Sequence, residues 1–381
     1  MKTKKILLLG GSHRDIPLIK AAQELGYFVI TLGAKDYYKG HRYSDQYFLI
    51  DFNDLEKVKQ IIKDKQIDYL LPGCGEESYL NTVKLSQELN IGNFDDLEVA
   101  KLVHNKWQFK QFCLKNNVCT PNGFYYKKEQ DISKLNFPIV VKPTNLSGGR
   151  GVDIVQNQEQ LNTSIKDALK VSNDIFLEEY IQGRLIAYSV FIQNQKIVYA
   201  FSGADDTYLN PYLITTAYPI KLDTKVEQRL IKDINTIAQK LNFVDGMFHL
   251  QIIIKDNLPY IIDVTRRIPG DFYPYLIEKS DEVQYSKAVV KAYIGDTITD
   301  EFKNKANNFI IRHVVMPERN GVYQGLVIDD KIQNNIIFRF DLISNGYKII
   351  NYLNTQITIL FIKSLNIYKN DINKAIKIKL L

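Results

Sequence analysis

Residues 261–275 read Ile-Ile-Asp-Val-Thr-Arg-Arg-Ile-Pro-Gly-Asp-Phe-Tyr-Pro-Tyr, an apolar strand that runs into two arginines and a turn. Asp263 and Thr265 stand two apart, so on a strand their side chains share a face. A carboxylate and a hydroxyl there supply the oxygen ligands that Mg²⁺ takes. Arg266 and Arg267 follow at once, and guanidinium forks bind carboxylate or phosphate bidentately. Pro269-Gly270 then turns the backbone and leaves the arginines at a rim. Oxygen donors beside fixed positive charge suit phosphoryl transfer.

A second cluster lies upstream. Residues 137–152 run Phe-Pro-Ile-Val-Val-Lys-Pro-Thr-Asn-Leu-Ser-Gly-Gly-Arg-Gly-Val, a short strand ending in Lys142 and then a glycine-rich loop. In Ser147-Gly148-Gly149-Arg150-Gly151, backbone N–H groups can approach a polyphosphate with no side chain in the way. A glycine loop by itself is more often just a turn; its order relative to the other segments gives it meaning.

Those segments are Lys106 in His-Asn-Lys-Trp-Gln-Phe-Lys, Lys142 in Val-Val-Lys-Pro, the glycine loop, Phe-Leu-Glu-Glu-Tyr-Ile-Gln-Gly at 176–183, Phe248-His249-Leu250-Gln251 and the stretch 263–271. In this order they resemble the signature of the ATP-grasp superfamily, in its carbamoyl-phosphate-synthetase and biotin-carboxylase branch, over roughly residues 1–325. The resemblance implies an α/β chain, α+β within the ATP-grasp part. Residues 1–100 would form a Rossmann-like domain and 101–305 a two-lobed ATP-grasp domain with its nucleotide lid at about 120–200. Residues 306–381 would form an antiparallel β-rich appendix.

The resemblance also implies roles. Lys106, Lys142, Ser147, Gly148, Gly149 and Gly151 would hold the ATP phosphates. Glu178, Glu179, Tyr180 and Ile181 would read adenine and ribose, and Leu250 would pack on adenine. Gln251, Asp263 and Thr265 would hold Mg²⁺, and Arg267, with Lys142, would serve the acyl phosphate. Relatives mostly carry Glu, Glu and Asn where this chain has Gln251, Asp263 and Thr265. Asp shortens the reach by one methylene and Thr replaces a carbonyl with a hydroxyl, which bears on an ion that demands near-octahedral geometry.

Composition fits. A chain of 381 residues exceeds what one core usually supports, and 45% hydrophobic residues can fill two or three. The net charge of +6 is spread along the chain without a basic patch, so nucleic acid is not expected as a partner. No apolar run approaches the ~18 residues of a membrane span, and Lys2-Thr3-Lys4-Lys5 leads into too short an apolar run for a signal peptide. A cytoplasmic protein is expected. Cys74, Cys113 and Cys119 form no CxxC pair, so neither a disulfide framework nor a zinc ribbon is expected.

Periodicity predicts strands at 6–9, 28–32, 46–50 and 69–71 with helices at 16–25 and 55–63. Gly10-Gly11-Ser12 invites a dinucleotide reading, but the full GxGxxG is missing and the second strand ends in Gly33-Ala34, where a ribose-binding acid would stand. Glu76 and Glu77 either complement a helix N-terminus or, as the resemblance suggests, help bind an acyl substrate. Strands at 139–142, 152–155, 176–180 and 188–193 are expected to form the lid sheet. The Ile/Asn/Lys-rich C-terminal strands read as scaffold or homodimer surface.

Three functions compete. The resemblance implies a ligase that joins a small-molecule carboxylate to an amine, with ATP giving an acyl phosphate. A bicarbonate-activating enzyme and a degenerate nucleotide-binding module are the alternatives.

Overall fold

The computed structural model describes residues 3–128, 132, 135–144, 146, 151–298, 300–303, 305–363 and 369–381. The chain forms two compact units. The first comprises Met1–Phe201, Leu222–Pro274 and Gln284–Lys303; the second comprises Ser202–Lys221, Tyr275–Val283 and Asn304–Leu381.

The first unit opens with a four-stranded parallel sheet. Lys5–Leu9 is flanked by Phe28–Leu32 and Tyr69–Pro72, and Gln46–Phe48 lies outside Phe28–Leu32. Ile6 to Leu9 are wholly buried, as expected for a parallel strand covered on both faces. Helices Ile16–Glu24, Leu55–Lys65 and Glu76–Leu89 alternate with the strands. The elements expected from periodicity are all present.

The Gly10-Gly11-Ser12 turn is filled by the protein itself. The buried Asp15 carboxylate accepts hydrogen bonds from Gly11 N at 2.9 Å, Ser12 N at 2.8 Å, Ser12 Oγ at 3.0 Å and Cys74 N at 2.8 Å. A Cβ on Gly11 would lie 2.1 Å from the His41 ring. The turn therefore binds two strand ends together through an internal anion.

Two further sheets belong to the first unit. Gly123–Tyr125, Ile175–Glu179, Ile139–Pro143 and Asp153–Val155 pair antiparallel in that spatial order, with helix Gln158–Ala168 on one face. Arg184–Gln193 pairs with Gly246–Lys255, which pairs with Leu258–Thr265. This corrects the expected lid sheet: residues 188–193 belong with 246–255, and Gly123–Tyr125 supplies the fourth strand of the smaller sheet. Arg184–Gln193 runs for 10 residues in near-continuous burial, and the equally long Gly246–Lys255 matches it from end to end.

In the second unit, Ile310–Val315 lies between Ile214–Pro219 and Thr358–Lys363, with Ile336–Asp341 beyond. A separate sheet joins Gly321–Ile328 to Lys348–Ile349 and Ile376–Leu380. No described helix is long and apolar enough to cross a membrane.

Replacing Asp15 by Ala leaves three backbone donors without their acceptor, two of them bonded in the protein interior. Each such loss costs about 1–3 kcal/mol, so urea unfolding should show a destabilisation of about 3 kcal/mol or more. A loss below about 1 kcal/mol would show that the Asp15 network is dispensable.

Candidate active site

The site is built on the hairpin of Gly246–Lys255 and Leu258–Thr265. Asp256 and Asn257 form its two-residue turn, both with positive φ (51° and 59°), the geometry that matches the twist of paired strands. Gln251 stands directly opposite Asp263, and His249 opposite Thr265. The register then jumps from Gln251–Asp263 to Ile252–Ile261, so Ile262 is a bulged residue beside the site. Alternation puts His249, Gln251, Asp263 and Thr265 on one face.

Two lysines come from one helix. Lys106–Lys115 begins at an Asn105 cap whose side chain accepts from Gln108 N at 3.0 Å. Lys106 and Lys110, one turn apart, therefore share a helix face. Lys106 Nζ lies 2.5 Å from Asp263 Oδ2, and Lys110 Nζ lies 2.8 Å from Glu178 Oε2. Lys142, at the end of its strand, pairs with the other oxygen of the same carboxylate, Glu178 Oε1.

The electrostatics follow from these pairs. Burial opposes ionisation of Glu178, but Lys142 and Lys110 hold its carboxyl below the usual range. Asp263 is treated alike: burial raises its pKa, Lys106 and then Lys142 lower it, and the net direction is down. Burial pushes the Lys110 ammonium down, against the pull of Glu178. Glu76, at the start of its helix, is raised by burial and pulled back by Lys106 and Arg267. Glu77 is exposed.

The adjacent arginines differ. Arg266 is buried, binds Asp95 at 2.7 and 3.1 Å, donates to Met247 O and Val244 O, and lies over the Phe243 ring. Its role is structural. Arg267 is half-buried, and its Nε has no hydrogen-bond partner among the described residues. The Thr265 hydroxyl accepts from Arg267 N at 3.2 Å. Beyond them, Asp271 and Phe272 both take positive φ (53° and 56°), a costly conformation for such residues that clusters at functional sites. Arg14 holds the turn through Asp271 Oδ1 at 3.1 Å.

Several expected residues are placed differently. Leu250 is fully buried and projects from the face opposite Gln251, so it cannot share a ligand with Gln251 and Asp263; Ile253 has the face expected of Leu250. Glu178 and Glu179 do not act as a pair. Both Glu178 oxygens are occupied by ammonium groups, whereas Glu179 is exposed and accepts from Asn122 Nδ2 at 3.2 Å. Ile181 is buried and Tyr180 half-buried. Ser147, Gly148 and Gly149 lie outside the described residues. Gly151 has φ +70°, and a Cβ there would come within 2.8 Å of Pro143. Tyr208 donates to Glu318 at 2.6 Å and lines a cavity of about 370 Å³ in the second unit.

Sequence reasoning missed Lys110 and His249. Lys110 carried a signal in its spacing of four from Lys106. His249 bonds Ser189 Oγ through Nδ1 at 2.7 Å and is held neutral, at about 4, by burial and then by Arg267.

The D-ala D-ala ligase C-terminus family matches residues 107–270. Formate-dependent phosphoribosylglycinamide formyltransferase of Prochlorococcus marinus (strain MIT 9515) is 27% identical over 187 residues, 47% of this chain and 48% of that protein. The match thus spans about half the length of this relative. N5-carboxyaminoimidazole ribonucleotide synthase of Staphylococcus haemolyticus is 24% identical over 86% of this chain and 85% of its own. Among solved structures, L-amino acid ligase from Bacillus licheniformis has the same fold, with a TM-score of 0.86 at 18% identity and 100% of both chains covered.

Two predictions follow from the burial of these groups. Arg266→Leu strands the buried Asp95 carboxylate and should destabilise the protein by about 3–5 kcal/mol in urea titrations. Arg267→Leu should stay within about 1 kcal/mol of wild type; equal losses would contradict the division of roles. His104, stacked on Tyr79, is held at about 3 by burial and then by Arg267. The unfolded chain therefore takes up a proton near pH 6.5 that the folded one refuses, and stability present above that pH is lost as pH falls. His104→Phe should shrink the loss between pH 7 and 5 by about 2 kcal/mol, and an unchanged loss would exclude the effect.

The family match over residues 107–270 and the fold shared with solved biotin carboxylase and N5-carboxyaminoimidazole ribonucleotide synthetase structures agree with the ATP-grasp resemblance of the ordered motifs.

Proposed function

We propose that the protein is an ATP-dependent carboxylate–amine ligase that phosphorylates a small-molecule acid, couples the acyl phosphate to an amine, and releases ADP and phosphate. The observation that carries this reading is the convergence of Lys106, Lys142, Asp263 and Arg267 within one unit. It is supported by relatives named as ligases and synthetases.

The donor set suits Mg²⁺. Asp263, Gln251 and Thr265 each carry a side-chain oxygen on one face, and Asp263 already holds a cation, the Lys106 ammonium. When bound there, Mg²⁺ supplies charge neutralisation of the phosphates. Lys106 and Lys142 bring positive charge to the transferring phosphoryl group, and Gly151 begins the chain's departure from the phosphate loop. Arg267, with its unpartnered Nε, holds the substrate carboxylate and then the acyl phosphate. Neutral His249 beside Arg267 adds no competing charge.

We place residues 1–100, 101–305 and 306–381 as Rossmann-like, ATP-grasp and appended domains, and the protein in the cytoplasm. A homodimer through the C-terminal strands is consistent with their exposed Val327 and Ile337. A second reading, bicarbonate activation, draws on the 86% coverage of the match to N5-carboxyaminoimidazole ribonucleotide synthase.

Both readings are tested by incubating the protein with MgATP and a panel of acids and amines. The ligase should release ADP only when an acid is present, with ¹⁸O from a labelled carboxylate appearing in phosphate. Label in AMP, or ADP release that depends on bicarbonate alone, would overturn it. Lys142→Ala and Asp263→Asn should each lower turnover by about two to three orders of magnitude with circular dichroism unchanged.

A further inference from the structure

Lys110 is a lysine that the proposed reaction does not use, yet it is the more deeply buried partner of a carboxylate shared with Lys142. Its side chain is 5% exposed and that of Glu178 is 2% exposed. The ammonium donates to Thr120 Oγ1 at 3.1 Å and Pro121 O at 2.6 Å, and it forms an ion pair with Glu178 Oε2 at 2.8 Å. Thr120 Oγ1 is itself fixed by donating to Ile261 O at 2.9 Å. Lys110 is thus locked in place. Lys142, by contrast, has Glu178 as its ion-pair partner among the described residues.

Charge counting gives this arrangement a purpose. Lys142 and Glu178 alone would form a neutral buried pair, and a neutral pair has little left with which to attract phosphate. Adding Lys110 gives two cations on one anion, a net charge of +1 that neither protein partner cancels. Since Lys110 is held by two hydrogen bonds and the Glu178 ion pair, the uncompensated charge resides on Lys142, the more accessible of the two. A buried excess charge is costly unless something answers it, and the phosphates of a nucleotide would do so.

We propose that Lys110 is a positioning residue which, by occupying Glu178 from within the protein, frees the charge of Lys142 for the nucleotide's phosphates. The inference rests on the nucleotide reading given above and goes beyond it in assigning phosphate affinity to a residue that does not touch the nucleotide. Lys110 sets how strongly the site favours a phosphorylated ligand over the bare nucleoside.

The test is calorimetric titration of the full chain with adenosine, ADP and ATP. Lys110→Met should weaken ATP and ADP by about 10- to 100-fold, the range for losing a charge-assisted hydrogen bond, and adenosine by less than about threefold. A merely structural role would weaken all three alike. The double variant Lys110→Met/Glu178→Gln removes the competing carboxylate as well, so Lys142 regains its charge and ATP affinity should return to within about threefold of wild type. Because the double variant removes both charges of the buried pair, it should fold even where the single variant does not. Equal ATP affinity in wild type and Lys110→Met, or a double variant weaker than wild type by tenfold or more, would overturn the proposal. Wild-type protein that binds no ATP would instead remove the nucleotide reading and this inference with it.

Discussion

The candidate site depends on one helix, Lys106–Lys115, whose first two turns deliver positive charge to two different sheets. Lys106 reaches Asp263 on the hairpin strand, and Lys110 reaches Glu178 on the strand of the smaller sheet. Residues four apart on a helix lie one above the other, so the separation of the two carboxylates is tied to a single helical turn. Burying Lys110 and Glu178 next to the half-buried Lys106–Asp263 pair is costly, and it is sustained by pairing each carboxylate with a cation. Lys142 adds a third cation to the two carboxylates, so what remains after pairing is excess positive charge, which is what a polyphosphate requires.

The parallel sheet at the N-terminus contributes support more than chemistry. Asp15 occupies the turn where a dinucleotide would otherwise place its phosphates, and His41 fills the space above Gly11. Next to it, Arg14 grips Asp271 and so holds the strained turn after Arg267. The same short segment, His13–Asp15, thus closes one potential site and braces another. Arg266 completes the bracing from the opposite face through Asp95.

Much of this was legible in the sequence because strong local patterns governed it. Continuous apolar runs specified the parallel strands, and the two-residue spacing of Asp263 and Thr265 specified a shared face. What escaped was tertiary. Leu250 and Gln251 are neighbours in sequence, and strand alternation separates them however well a motif groups them. Glu178 and Glu179 look like one acidic unit, yet one is buried between two lysines and the other is at the surface. The pairing of 188–193 with 246–255 joins segments far apart in the chain, which no local window contains. Lys110 was visible only as one lysine among many until its partner was placed.

The central claim is that Lys106, Asp263, Gln251 and the Lys110–Glu178–Lys142 group form a site for a metal-bound nucleotide. The most direct measurement is a crystal structure with Mg²⁺ and a non-hydrolysable ATP analogue. In it Asp263 and Gln251 should coordinate the metal, Lys106 and Lys142 should have turned to the phosphates, and Lys110 should still be on Glu178. A nucleotide bound elsewhere, or Lys106 still paired with Asp263 and no metal beside it, would contradict the account.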